Sequence, residues 1–104
     1  MKKVDVIIPA YNPGAYLRDA IESVLSQTYK NFELFVVDDC STENIESITK
    51  FYPSIKLLRT EKNSGPSAAR NLGIKSGESE FVSFLDSDDI MHKQKLEKIG
   101  RAHV

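Results

Sequence analysis

Four short apolar runs alternate in this chain with segments whose apolar residues recur at helical spacing, and no other feature constrains the fold as strongly. Residues 4–8 (Val-Asp-Val-Ile-Ile), 32–37 (Phe-Glu-Leu-Phe-Val-Val), 55–59 (Ile-Lys-Leu-Leu-Arg) and 81–85 (Phe-Val-Ser-Phe-Leu) read as strands, the first stopped by Pro9. Between the first two, Tyr16 to Gln27 sets Leu17, Ala20, Ile21, Val24 and Leu25 on one helical face, with Arg18, Asp19, Glu22 and Ser26 turned away. A weaker helix shares Ile45, Ile48 and either Phe51 or Tyr52 on one side and ends at Pro53. A third helix, rich in Ala and Leu, runs from Ser67 to Lys75 and closes at Gly77; a last, poorly patterned one covers His92 to Ile99. The order β-α-β-α-β-α-β-α predicts an α/β fold, a mainly parallel sheet with helices on both faces. The third run is short and alternating, which places it at a sheet edge.

Size and charge narrow the function. At 104 residues the chain holds one domain at most. Its 14 basic and 15 acidic residues leave a formal charge of -1, which argues against a surface built to neutralise the phosphates of a nucleic acid. No apolar run approaches the ~20 residues that cross a bilayer. Met1-Lys2-Lys3 leads into an apolar stretch too short for a signal peptide. The lone Cys40 excludes an intramolecular disulfide and an all-cysteine zinc site. These features together predict a soluble, intracellular protein.

In open parallel sheets, ligands bind beyond the carboxyl ends of the strands, where the strand order reverses. Polar clusters stand there: Tyr11-Asn12 after the first strand, Asp38-Asp39 after the second, Asp86-Ser87-Asp88-Asp89 after the fourth. Any one of them is explained by a strand ending in a polar loop; three on one rim point to a site. The carboxylates of Asp86, Asp88 and Asp89 repel one another unless a cation compensates, and such oxygen ligands suit Mg2+ or Mn2+. Of Asp38 and Asp39, one fits a structural cap, a task open equally to Ser41 or Thr42; the other is a spare acceptor for a ring N–H of a base. Tyr11 offers an aromatic face to the same ring. Arg70 sits either on the solvent side of its helix or on the rim, where its donors suit a diphosphate or the acidic cluster. His92 and His103 read as surface residues, His92 within reach of a metal held by Asp88. Cys40 follows two acids, a poor setting for a nucleophilic thiolate. Lys93, Lys95, Lys98 and Arg101 read as a solvated basic face.

Taken together, Val6-Ile7-Ile8-Pro9-Ala10-Tyr11-Asn12, Ser26-Gln27-Thr28-Tyr29, Val37-Asp38-Asp39-Cys40-Ser41, Asn63-Ser64-Gly65-Pro66-Ser67-Ala68-Ala69-Arg70-Asn71-Leu72-Gly73-Ile74 and Phe84-Leu85-Asp86-Ser87-Asp88-Asp89 resemble the family 2 glycosyltransferases. The five blocks stand in the family's order and spacing from residue 4 to about residue 99. The resemblance implies the GT-A fold, a Rossmann-like sheet that binds a nucleotide-diphosphate sugar, here a UDP-sugar, and Mn2+ or Mg2+. It implies that Pro9, Tyr11, Asp38 and Asp39 hold the base, with Asp39 the partner of a uracil N–H, and that Arg70 lies near base or diphosphate. Asp86 would touch the ribose, and Asp88 and Asp89 would ligate the metal.

Catalytic domains of the family are longer than this chain. Their second half carries the acceptor site and the general base that deprotonates the acceptor hydroxyl in inverting transfer. Residues 1–104 therefore read as a truncated, N-terminal nucleotide-sugar-binding half, with the base expected beyond Val104 and no transfer expected from this half alone. A cytoplasmic setting, at the inner membrane face in the parent protein, is implied. So is a homo-oligomer formed through the apolar surface that a half-fold exposes. The alternative is a non-catalytic nucleotide-binding or assembly module of the same half-fold. A dinucleotide-binding domain needs Gly-x-Gly-x-x-Gly after its first strand, which Pro9-Ala10-Tyr11-Asn12-Pro13-Gly14 lacks. A haloacid-dehalogenase-type phosphatase would carry its Asp-x-Asp on the first strand, not the fourth.

Overall fold

The computed structural model describes residues 2–102, so His103 lies outside the described residues, as does the side chain of Arg101. Eight elements follow the expected alternation: β1 (Val4–Ala10), α1 (Tyr16–Leu25), β2 (Phe32–Asp38), α2 (Glu46–Thr49), β3 (Lys56–Arg59), α3 (Pro66–Ser76), β4 (Phe81–Phe84) and α4 (Lys95–Ala102). The strands form one parallel sheet in the order β3-β2-β1-β4. β3 lies at an edge, as its alternation predicts. β4 holds the other edge and is only half-buried, so the acidic cluster follows an edge strand and not a deeply buried one.

The strand period of two splits the core into two layers. Val4, Val6, Ile8 and Ala10 of β1, with Leu34 and Val36 of β2, pack against Leu17, Ala20, Ile21 and Val24 of α1, Ile45, and Leu96 of α4. Ile7, Phe35 and Val37 point to the opposite face and meet Ala69 and Leu72 of α3. Helices thus cover both faces. α3 approaches closely because position 73 is glycine: a Cβ there would stand 2.7 Å from Ile7 Cγ2.

The structure departs from the expected boundaries for local reasons. β1 runs through Pro9 to Ala10. The carbonyl of Ile7 accepts from Leu85 N on the β4 side and that of Ala10 accepts from Asp39 N on the β2 side. Pro9 therefore turns its missing donor toward β4, where pairing has already ended at Ile7–Phe84. α1 stops at Leu25, and Gln27, fully buried, leaves the helix to act as a bracket. Its Nε2 donates to His92 O (2.6 Å) and its Oε1 accepts from Leu96 N (3.1 Å), which fixes the segment after the acidic cluster. α2 is a single turn, and of the residues that follow it Tyr52, not Phe51, packs on the core; Phe51 lies exposed against Lys50 and Arg18. Its N-cap position is Ile45, without a side-chain cap, so neither Ser41 nor Thr42 serves there. No helix among the described residues is long and apolar enough to cross a membrane.

Candidate functional site

The strand order places β2 and β3 on one side of β1 and β4 on the other, so the chain reverses direction across the sheet between β1 and β4. A cleft of about 500 Å³ opens at the carboxyl ends of these strands. Pro9, Ala10, Tyr11, Asn12, Pro13 and Tyr16 form one wall, Asp39, Asn63, Gly65, Pro66 and Ala69 another, and Asp86, Ser87 and Asp88 the third. This is the crevice where an open parallel sheet binds ligands.

The two carboxylates at the end of β2 are both buried, and they do different things. Asp38 accepts from Arg59 Nη1 (3.1 Å) and from the backbone N–H of Ser41 (2.9 Å), and it is not part of the cleft wall. Asp39 reaches the cleft. Its Oδ1 accepts from Thr60 Oγ1 (2.8 Å) and Ser64 N (3.1 Å), its Oδ2 from Gly65 N (2.9 Å). A carboxylate has about four lone-pair positions, so three bonds leave Asp39 one further acceptor site. Gly65 takes φ 93°, a conformation glycine adopts without penalty, which aims its N–H at Asp39 and starts α3 with Pro66 in its first turn.

After β4 the picture reverses. Asp86, Asp88 and Asp89 are exposed, and one ligating atom from each lies within 4.8 Å of the others. Octahedral oxygen ligands at 2.0–2.1 Å from a metal stand about 3 Å apart in cis and about 4 Å in trans, so a separation of up to 4.8 Å is somewhat wider than a closed site, and these exposed side chains would draw together to share a small hard cation. Asp88 forms part of the cleft wall, whereas Asp89 does not. Arg70 points to the rim: its Nη2 lies 3.4 Å from Asp86 Oδ1 and its guanidinium sits over the Phe84 ring, 5.8 Å from the centroid. It is not a wall residue. His92 stays outside the metal-competent group, its Nδ1 accepting from Gln94 N at 3.3 Å.

Thus Pro9, Tyr11, Asp39, Asp86 and Asp88 share one cleft, Asp89 and Arg70 adjoin it, and Asp38 braces its floor. Sequence reading did not single out Thr60, Arg59 or the Ser64 and Gly65 amides. Their only signal was the Asn63-Ser64-Gly65-Pro66 turn, whose amides depend on distant Asp39 for a partner.

The chain is similar in sequence and fold to known proteins. Residues 5–103 match the family described as Glycosyl transferase family 2. An uncharacterized glycosyltransferase of Rickettsia felis is 50% identical over 97 residues, 91% of this chain and 16% of the relative. The structure of S. aureus TarS residues 1–349 in complex with UDP-GlcNAc superposes with a TM-score of 0.88 at 38% identity, covering 95% of this chain and 30% of that one. The mannosyltransferase PcManGT from Pyrobaculum calidifontis, in complex with GDP-Man and Mn2+, gives 0.79 at 25% identity over 86% of this chain and 28% of that one. The chain therefore spans less than a third of the length of each of these proteins, and its parallel sheet with helices on both faces is the GT-A arrangement of TarS. With the family matched over almost its whole length, the chain belongs to glycosyl transferase family 2.

Proposed function

We propose that residues 1–104 form the nucleotide-sugar-binding half of a metal-dependent, inverting glycosyltransferase whose donor is a UDP-sugar. The observation that carries this reading is the meeting, in one cleft at the reversal of strand order, of a buried acceptor with open capacity, Asp39, and an exposed carboxylate cluster. The base stacks on Tyr11 and gives its ring N–H to Asp39, Pro9 lines its edge, Asp86 meets the ribose, and Arg70 holds Asp86 and adds positive charge near the diphosphate. Asp38 contributes indirectly, through the turn it holds.

Asp88 and Asp89 are the residues that would hold Mn2+ or Mg2+. A divalent ion there, when bound, offsets phosphate charge and stabilises the leaving diphosphate. The TarS complex with UDP-GlcNAc and the PcManGT complex with Mn2+ support a nucleotide-sugar donor and a divalent metal. The acceptor site and the base that would deprotonate the acceptor's hydroxyl are assigned to the longer protein, since the relatives extend well beyond the matched part. Positioned base catalysis contributes roughly 10²–10⁴-fold. The isolated chain is accordingly expected to bind UDP and to transfer no sugar.

Titration calorimetry of the chain with UDP, with and without MnCl2, tests the reading. Metal-dependent binding of UDP supports it, and equal heats in both conditions refute the metal role. Incubation with radiolabelled nucleotide sugars and a panel of acceptors tests the division of labour; robust transfer by these 104 residues would place the base within them.

A further inference from the structure

Side-chain hydrogen bonds lace the wall carrying Tyr11 to the β2–α2 loop, and three of them converge on Asn12. Asn12 follows Tyr11 in the left-handed region at φ 45°, a conformation that asparagine tolerates better than other non-glycine residues. Its Oδ1 accepts from Thr42 N (3.0 Å), Thr42 Oγ1 (3.2 Å) and Glu43 N (3.2 Å), and its own N–H donates to Ser41 Oγ (2.9 Å). Glu43 completes the lacing by accepting from Gly14 N at 3.0 Å. On the far side, Ser41 is pinned by Asp38, which takes its N–H, and by Arg59, which donates to its carbonyl. A continuous chain of hydrogen bonds thus runs from the ion pair Asp38–Arg59, through Ser41–Glu43, to the residue beside Tyr11.

We propose that Asn12 is the positioning residue of the cleft. Its side-chain carbonyl clasps the β2–α2 loop to the β1–α1 loop and so sets Tyr11 and Asp39 at a fixed separation across the space that a nucleoside base occupies. The inference rests on the nucleotide reading above for its consequence in binding, but the clasp is a property of the free chain. Only the oxygen of the Asn12 amide is engaged with the neighbouring loop, and all three partners are donors. Aspartate offers the same acceptor and also tolerates the left-handed conformation. Glycine tolerates the conformation and offers no acceptor; alanine offers neither.

The experiment compares wild type with Asn12→Asp, Asn12→Gly and Asn12→Ala, reading UDP affinity by calorimetry in MnCl2 and amide exchange at Thr42 and Glu43 by NMR. Asn12→Gly is expected to weaken UDP about tenfold and to accelerate the two amides by a similar factor, with most of the thermal midpoint retained. Asn12→Ala is expected to do the same or worse, whereas Asn12→Asp returns affinity and exchange to within about threefold of wild type. Wild-type affinity in Asn12→Gly, or failure of Asn12→Asp to restore both readouts, overturns the proposal. If wild type itself binds no UDP, the nucleotide reading fails, and exchange alone judges the clasp: unchanged rates at Thr42 and Glu43 in Asn12→Gly sink it.

Discussion

The ends of β2 and β4 carry the same residue type in nearly the same pattern and treat it in opposite ways. Asp38 and Asp39 are 2% and 3% exposed, and their carboxylates accept five hydrogen bonds from the chain. Asp86, Asp88 and Asp89 are all exposed, and Asp86 makes one long contact to Arg70. The first pair is built into the scaffold; the second group holds like charges together with little internal compensation. Burial with full hydrogen bonding makes a carboxylate structural, and exposure with crowding leaves it ready for a ligand. Asp39 does both, because it faces the cleft while organising the 60–65 loop.

The sharpest way to break this contrast is to delete one carboxylate from each end. Asp39→Ala leaves the Ser64 and Gly65 amides without their partner and the Thr60 hydroxyl with the Lys62 carbonyl alone, and should cost roughly 2–4 kcal/mol in urea denaturation. Asp39→Asn should recover only part of that loss, since its amide turns a donor toward an N–H that is itself a donor. Both should abolish UDP binding. Equal stability of Asp39→Ala and wild type would show that the 60–65 loop does not depend on this carboxylate.

Asp88→Asn combined with Asp89→Asn should leave stability within about 0.5 kcal/mol of wild type, or raise it slightly by relieving repulsion. The same change should remove any dependence of UDP affinity on Mn2+, read by calorimetry. A destabilisation of the size expected for Asp39 would mean that the exposed cluster is scaffold after all. Arg70→Ala comes next in size. Its contact with Asp86 is long and its partners are solvated, so stability should fall by less than about 1 kcal/mol. UDP affinity should fall severalfold because Asp86 loses its anchor and the rim loses the positive charge beside it.

How much of this the sequence discloses follows the same division. The sheet was legible because burial on both faces demands continuous apolar runs, and Val6-Ile7-Ile8 and Phe35-Val36-Val37 supply them. The rim was legible because acidic residues interrupt those runs abruptly. Partnerships between distant residues were not legible. Asp5 lies within an apolar run at 1% exposure because Ser79 N and Oγ bond its carboxylate 74 residues later. Gly77 leaves room for that carboxylate, since a Cβ there would stand 2.0 Å from Asp5 Oδ2. Likewise nothing local in Asp38-Asp39 says which one braces and which one faces the cleft. That is decided by where Arg59 and the 60–65 loop arrive, a consequence of β3 pairing with β2. The helical reading ran on to Gln27 for the same reason: nothing local shows that its amide is claimed by His92 and Leu96 from the far end of the chain.

Another carboxylate, at the opposite end of β2, sharpens the comparison with the smallest effect. Glu33 accepts from Lys56 and from Lys3, and these hydrogen bonds, Lys56 first, hold its carboxyl below the ordinary value of 4.5. A group whose value falls on folding stabilises the folded state above its unfolded value, and loses that contribution as pH drops through the folded one. Wild type should therefore exceed Glu33→Gln in stability at neutral pH, and the two curves should converge as the medium is acidified below 4.5. Both lysines are half solvated, so the gap should stay under about 1 kcal/mol and shrink with added salt. Glu33 is thus intermediate between the two rim groups, partnered like Asp38 but less buried, its partners half solvated. A gap as large as that of Asp39→Ala would mean that ion pairing, rather than burial of hydrogen-bonded carboxylates, governs which acids this fold depends on.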